Sequence, residues 1–277
     1  MKLRGLIHNY LFFNIRELGG VRLHRATVIG EMGTGKTTLM ARIAELLLQH
    51  YGEENVNIVR SQFLGNILKY LDDRPIQCLL LDDPLYYHFS HGFSRERKEN
   101  VSQLAAIRHI WRKTYGIQKG LIILLVATQY YFVLDPFFRN APLLMFKSVL
   151  NDPRDRYYLR KLVGKQKYME LAKQTFKIFF KRSEEAKSRV LIKPIGAKAR
   201  WIEYQLPRIN IEKYSVDDTP YIAEKQKHIL GLDEKDRQIL YLRLKGKKIT
   251  QIAEIIGLAP SRVSERITKA ITKLGLE

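Results

Sequence analysis

Eight consecutive residues, Gly30-Glu31-Met32-Gly33-Thr34-Gly35-Lys36-Thr37, have the spacing G-x-x-x-x-G-K-[ST]. The chemistry open to such a run is the holding of a phosphate chain. Glycines let backbone N–H groups close around an anion, and a helix that starts at the loop's end points its positive pole at it. A lysine can then reach the β and γ oxygens, and a hydroxyl can ligate Mg²⁺. Gly30, Glu31, Met32, Gly33, Thr34, Gly35, Lys36, Thr37 and Thr38 are the candidate nucleotide contacts, and Lys36 is also a candidate catalytic group. About 45 residues further on, Cys78-Leu79-Leu80-Leu81-Asp82-Asp83 is an apolar run ending in paired carboxylates. Asp82 is placed to share the metal with Thr37, and Asp83 to polarise an attacking water. A third apolar run, Leu124-Leu125-Val126-Ala127, ends in Thr128-Gln129. A polar side chain at the C-terminal end of a strand faces the crevice where open α/β sheets bind ligands, so Gln129 is a candidate contact to the γ-phosphate or the water.

These residues need a scaffold that brings strand ends together. Strand-like apolar runs occur at Ala26–Ile29, Val56–Val59, Ile76–Leu81, Leu121–Ala127 and Leu143–Val149. Helical patterns separate them at Thr37–His50, Gln62–Leu71 and Asn100–Tyr115. Runs that are apolar throughout rather than alternating, joined by helical crossovers, predict an α/β fold with a parallel central sheet covered by helices on both faces; the phosphate-loop motif between the first strand and helix makes that fold a P-loop NTPase. A charged helical stretch then runs from Asp152 to about Arg182, followed by short strands at Val190–Pro194 and Ala199–Leu206. The aromatic and basic stretch Tyr86–Lys98 reads as a loop after the second motif.

An extra strand–helix unit, Val56–Leu71, separates the two phosphate-site motifs. That arrangement resembles the branch of P-loop NTPases with an added central strand and a catalytic acid after the metal-binding Asp. Most of that branch has Glu where this chain has Asp83, which implies a closer water or slow hydrolysis. Ala127-Thr128-Gln129, followed by Leu134-Asp135, Asn140-Ala141, Phe146-Lys147 and Asp155-Arg156, is similar to the corresponding stretch of HerA–FtsK superfamily ATPases. The resemblance spans roughly residues 26–164. It implies ATP as substrate with Mg²⁺, a DNA-pumping or packaging role, and a homo-oligomer, hexameric in many relatives. It also implies an arginine reaching a neighbour's γ-phosphate. Arg156 is the foremost candidate for that arginine, with Arg139 and Arg154 as alternatives.

Charge points the same way. The chain carries 48 Lys and Arg against 28 Asp and Glu, a net +20 with a pI near 9.9. Residues 147–213 hold 18 of the bases against 7 acids, a net +11. A field this strong gathers polyanions, and DNA, duplex in the first instance, is the expected partner. No stretch reaches the ~18 apolar residues of a membrane helix, and the first residues lack the apolar core of a signal peptide. The single cysteine, Cys78, reads as a small buried hydrophobe. A cytoplasmic protein without membrane insertion is expected.

The C-terminal end has a different pattern. A helix capped by Asp233 is predicted from Leu232 to Leu244, a second over Ile249–Leu258 ended by Gly257, and a third from Ala259 to Leu274. Ile252, Ala253 and Ile256 fall at helical spacing to meet Val263, Ile267, Ile271 and Leu274. The pattern Ile-Ala-x-x-x-Gly-Leu-x-x-x-x-Val resembles the helix-turn-helix of sigma-factor region 4 and LuxR-type regulators. The resemblance implies DNA contacts from Ser261, Arg262, Ser264, Arg266 and Lys269, with Glu265 on the same exposed side. The expected organisation is an ATPase domain over residues 1–209, a linker over 210–225 around Pro220, and an all-α helix-turn-helix domain over 226–277. The leading functional reading is an ATP-driven DNA motor or packaging-type ATPase of a mobile element. An ATP-switched transcription or partition regulator, and an accessory ATPase for replication or transposition, stay open beside it.

Overall fold

A computed structural model describes residues 19–62, 67–82, 95–131, 134–218, 232–244 and 247–273. The chain divides into two compact units, residues 1–90 with 103–216, and residues 91–102 with 217–277.

The first unit is built on a seven-stranded sheet. Its strands are β1 (Val21–Ile29), β2 (Val56–Ser61), β3 (Ile76–Asp82), β4 (Gly120–Thr128), β5 (Leu143–Phe146), β6 (Arg189–Pro194) and β7 (Arg200–Glu203), in the order β2-β3-β4-β1-β5-β6-β7. The first five run parallel, whereas β6 and β7 add antiparallel at one edge, so the sheet is mixed rather than parallel throughout. One strand, β4, lies between β1, which leads into the glycine loop, and β3, which ends at Asp82. This order and the covering helices are those of a P-loop NTPase fold.

Why the central runs are apolar on both sides follows from the helices. Helix α1 (Lys36–Tyr51) buries Leu39, Met40, Ile43 and Leu47 on the face that carries Val28, Leu80, Ile123 and Leu125. Helix α2 (Arg95–Tyr115) buries Ile107 and Trp111 on the other, against Leu79, Leu81, Ile122, Leu124 and Val126. Neighbouring residues of β3 and β4 thus feed opposite cores. Cys78 is fully buried in the first. After the single turn α3 (Pro136–Arg139) and β5 come α4 (Pro153–Val163), α5 (Lys165–Phe180) and the short α6 (Glu184–Lys187). Gly164, at φ 86°, divides what the sequence read as one helical stretch.

Of the helix expected at Gln62–Leu71, residues 63–66 lie outside the described residues; Ile67 is helical and the 3₁₀ turn Leu68–Tyr70 follows it, with the Tyr70 carbonyl taken by Asn57 Nδ2 at 2.7 Å. One expectation is corrected. Residues 210–216, placed in a linker by their polarity, pack on the sheet unit. Ile211 is buried in the first core, and Val216 N donates to Arg60 O at 2.9 Å. Their polar side chains are satisfied locally and by Arg60, which hydropathy alone does not register.

In the second unit, α7 (Glu234–Leu244), α8 (Ile249–Ile256) and α9 (Pro260–Lys273) enclose Ile239, Ile252, Ala253 and Val263, flanked by Ile256 and Ile267. Asp233 caps α7, accepting from Asp236 N at 2.7 Å, and Gly257 ends α8 at φ 68°. The Ile271 side chain and Leu274, expected in the same seam, lie outside the described residues. No helix among the described residues is long and apolar enough to cross a membrane.

Candidate functional site

Strand register gathers the candidate residues at one edge. Ile29 pairs with Thr128 on one side and Phe146 on the other, while Asp82 pairs with Ala127. The glycine loop, Asp82, Gln129 and Lys147 therefore all leave the sheet at the C-terminal ends of parallel strands, where such folds bind ligands.

The loop is held from several sides. Gly30 N donates to Thr128 O (3.1 Å), Glu31 N to Ser148 Oγ (2.8 Å), and Asn151 N to Glu31 Oε1 (2.6 Å). Thr34 is fully buried and donates through Oγ1 to Glu31 O at 2.7 Å. A Cβ on Gly30 would lie 2.7 Å from that hydroxyl and 2.9 Å from Lys147 Cβ, so only glycine fits. Gly35 takes the left-handed conformation (φ 85°, ψ 33°) directly before α1, freeing the first N–H groups of the helix to face an anion. Lys36 Nζ lies over the loop, 3.3 Å from Glu31 O. Met32 is exposed at the loop's apex, and Thr38 lies in the first turn of α1.

On the metal side, Thr37 Oγ1 donates to the Asp82 carboxylate, 2.9 Å from Oδ2 and 3.2 Å from Oδ1. Two oxygen donors, one hydroxyl and one carboxylate, meet at the head of the loop. That is a hard-cation donor set that leaves the remaining positions to water and phosphate oxygens, as Mg²⁺ requires. No group of three or more His, Cys, Asp or Glu side chains able to hold a metal occurs among the described residues. A site completed by substrate is the one these residues fit.

Two cations were not foreseen. Arg60, at the end of β2, donates to Asp82 Oδ2 from Nη2 (2.7 Å) and Nε (3.1 Å), and its Nη1 reaches Ser215 Oγ (2.9 Å) and Glu212. Lys147, directly after β5, is fully buried under the loop. Its Nζ donates to Arg189 O and Tyr204 Oη, both at 2.8 Å, and to Lys187 O. Burial lowers the Lys147 amine to about 7, although three acceptors favour its charged form. The sequence signal for both was position. Each stands at the same sheet edge as Asp82 and Gln129, but a lysine or arginine after an apolar run reads as a surface charge.

The remaining candidates separate. Gln129 follows Thr128 at this edge, half-buried. Asp83 and residues 84–94 lie outside the described residues; Arg95–Lys98, the end of the stretch expected as a loop, are instead the first turn of α2. Arg156 donates from Nε to Leu150 O (2.7 Å), bracing the segment whose Asn151 closes on Glu31. Arg154 pairs with Asp152, the cap of α4 (3.2 Å), and Arg139 ends α3.

In the helix-turn-helix, Ser261, Arg262 and Ser264 are exposed on α9. Lys269 is exposed too, paired with Glu265 at 2.7 Å. Arg266 has a different position from the DNA-facing one expected of it. Half-buried, it ties α9 to the start of α7 through Asp236 (2.8 Å) and Asp233 (3.0 Å). Helical spacing alone does not show that two acids of α7 lie beside it.

Residues 227–274 match the family model described as sigma-70, region 4. Among solved structures, the chain is similar to the genome packaging NTPase B204 of Sulfolobus turreted icosahedral virus 2 in complex with AMPPCP. That match has 11% identity over 66% of this chain and 98% of that one, with TM-score 0.41. It is also similar to the DNA-packaging ATPase B204 of Sulfolobus turreted icosahedral virus (14%, 66% and 98%, TM-score 0.39). A third is a mutant RuvB of Thermotoga maritima (15%, 90% and 80%, TM-score 0.31). No curated protein matches the chain. With these identities low and these TM-scores below 0.5, the chain's own topology and residues carry the fold assignment.

Proposed function

We propose that this chain is an Mg²⁺-dependent ATPase that binds DNA and couples turnover to moving or packaging it, as a homo-oligomer. The observation that carries the ATPase part is the contact between Thr37 and Asp82 at the head of a glycine loop, with Lys36 lying over that loop. Backbone N–H groups of Gly33–Thr38 would hold the β-phosphate, and Lys36 would neutralise charge on the β/γ oxygens. Mg²⁺ held through Thr37 and Asp82 would draw electron density from those oxygens. Gln129 would orient the water and Asp83 polarise it. An arginine from a neighbouring subunit, Arg156 foremost, would complete the site. The helix-turn-helix and the basic stretch 147–213 supply the attraction to DNA.

A second reading, an ATP-switched regulator, is favoured by Arg60. One guanidinium holds the metal-side carboxylate on one edge and Glu212 and Ser215 on the other, so nucleotide state and the segment leading out of the sheet unit share a group.

The decisive measurement is ATP turnover by wild type and Lys36→Ala, with and without duplex DNA. A motor shows turnover raised several-fold by DNA of any sequence and lost in Lys36→Ala. A regulator shows slow turnover, unchanged by DNA, with one preferred sequence bound. Undiminished hydrolysis by Lys36→Ala would remove the phosphate-loop reading itself.

A further inference from the structure

Helices α4 and α5 each bury one face and leave an unusual one in water. In α5, Leu171, Gln174 and Ile178 point inward, and positions 173, 176, 177 and 180 share the opposite side. Those positions are Lys173, Phe176, Lys177 and Phe180, all exposed, with Phe180 at 75% and Phe176 at 51%. The two phenyl rings stack at 4.6 Å with 22° between their planes. In α4, Asp155, Leu159 and Val163 are buried, and the opposite side carries Arg154, Tyr157, Tyr158 and Lys161. Tyr157 is 64% exposed and its ring meets that of Tyr158 edge-on at 5.7 Å. Two successive helices thus repeat one arrangement, a pair of touching aromatic rings with a cation within a turn.

Residues 153–182 hold ten bases and two acids. A second copy of this face would meet it with like charge, and a chain with 48 bases and 28 acids offers little acidic surface to receive it. In α5 Lys173 and Lys177 border the Phe176–Phe180 pair, as Arg154 and Lys161 border Tyr157 and Tyr158 in α4. Flat rings beside cations at one-turn spacing suit a polyanion whose bases are free to stack.

We propose that the outer faces of α4 and α5 are a stacking platform for single-stranded nucleic acid, with Tyr157, Tyr158, Phe176 and Phe180 taking bases and Lys161, Lys173 and Lys177 taking phosphates. Duplex DNA hides its base faces and would use only the cations. The platform stands without the ATPase reading, since neither the phosphate loop nor Asp82 takes part.

The test is fluorescence anisotropy of the full chain, free of nucleotide, with a labelled thymidine oligonucleotide and a duplex of equal length. Phe176→Ala/Phe180→Ala and Tyr157→Ala/Tyr158→Ala should each weaken single-strand binding about tenfold at unchanged salt dependence, and leave duplex binding within about twofold. Lys173→Gln/Lys177→Gln should weaken both and make the log–log salt slope shallower by about 1.4 for the single strand and about 1.8 for the duplex. Because all these side chains are exposed, thermal melting should match wild type, and Phe176→Leu/Phe180→Leu, apolar but not flat, should behave as the alanine pair. Wild-type single-strand binding by both aromatic pairs would overturn the platform. So would leucine rescue, or a change in particle mass by light scattering with binding unaltered, which would assign the face to self-association.

Discussion

The glycine loop, proposed to hold a nucleotide, and helix α9, proposed to meet DNA, are built by opposite means. Apart from Thr34, the walls of the loop come from far along the chain: Thr128, Lys147, Ser148 and Asn151 close on residues 30–31. Helix α9 stands on its immediate neighbours, through Val263, Ile252 and Arg266. The first is held in place by a framework of long-range contacts. The second is a row of exposed side chains on a small scaffold.

That contrast can be broken at its strongest point by Gly30→Ala. The new methyl would press on Thr34 and Lys147, both fully buried, so neither can move aside. Nucleotide affinity by calorimetry should fall about a hundredfold or more and the sheet unit should melt earlier. Normal affinity would mean that the loop is far softer than its contacts suggest.

A pH series isolates one of the contacts around the same loop. Lys147 releases its proton near 7 in the folded chain, against an ordinary 10.5. Between those values the unfolded chain binds more protons, so folded stability rises with pH there. Wild type should gain up to about 1.4 kcal/mol per pH unit over Lys147→Met from about pH 7 upward. Urea midpoints at several pH values measure it; parallel curves would show that the amine titrates normally.

At the other site, Arg262→Ala should cost about 1–3 kcal/mol of binding to a preferred duplex and relax its sequence, with melting unchanged. Competition binding against random DNA separates the two effects. The smallest change is expected of Arg266→Gln. It should loosen α9 from α7 and lower the melting midpoint of the C-terminal unit slightly, while DNA affinity falls less than in Arg262→Ala. Equal losses in the two variants would return Arg266 to the DNA face.

How far the sequence could be read follows the same division. Continuous apolar runs located the five parallel strands, because burial on two faces leaves an unambiguous pattern. The C-terminal helices were legible from local spacing, a cap at Asp233 and a stop at Gly257. The motif residues of the loop needed no partner to be recognised. What escaped was pairing across distance. Nothing local distinguishes Arg60 from a solvated arginine, or tells that Lys147 is enclosed by Tyr204 and two carbonyls. The same holds for Arg266, and for residues 210–216, whose packing depends on β2, some 150 positions earlier. Short edge strands were likewise placed but not oriented, since an antiparallel addition at β6 has no signature of its own.

The loop's dependence on distant walls also sets an order of events in time. Its glycines and Lys36 are synthesised before its walls, Thr128 following about a hundred residues later and Asn151 later still. Until β4 and β5 flank β1, the strand leading into the loop lacks both its partners, and closing those spans costs chain entropy before any contact repays it. A nascent or truncated chain ending before Phe146 should therefore carry the whole glycine motif and yet retain no nucleotide. The three described helices of the C-terminal unit, whose contacts are local, should form quickly once they emerge.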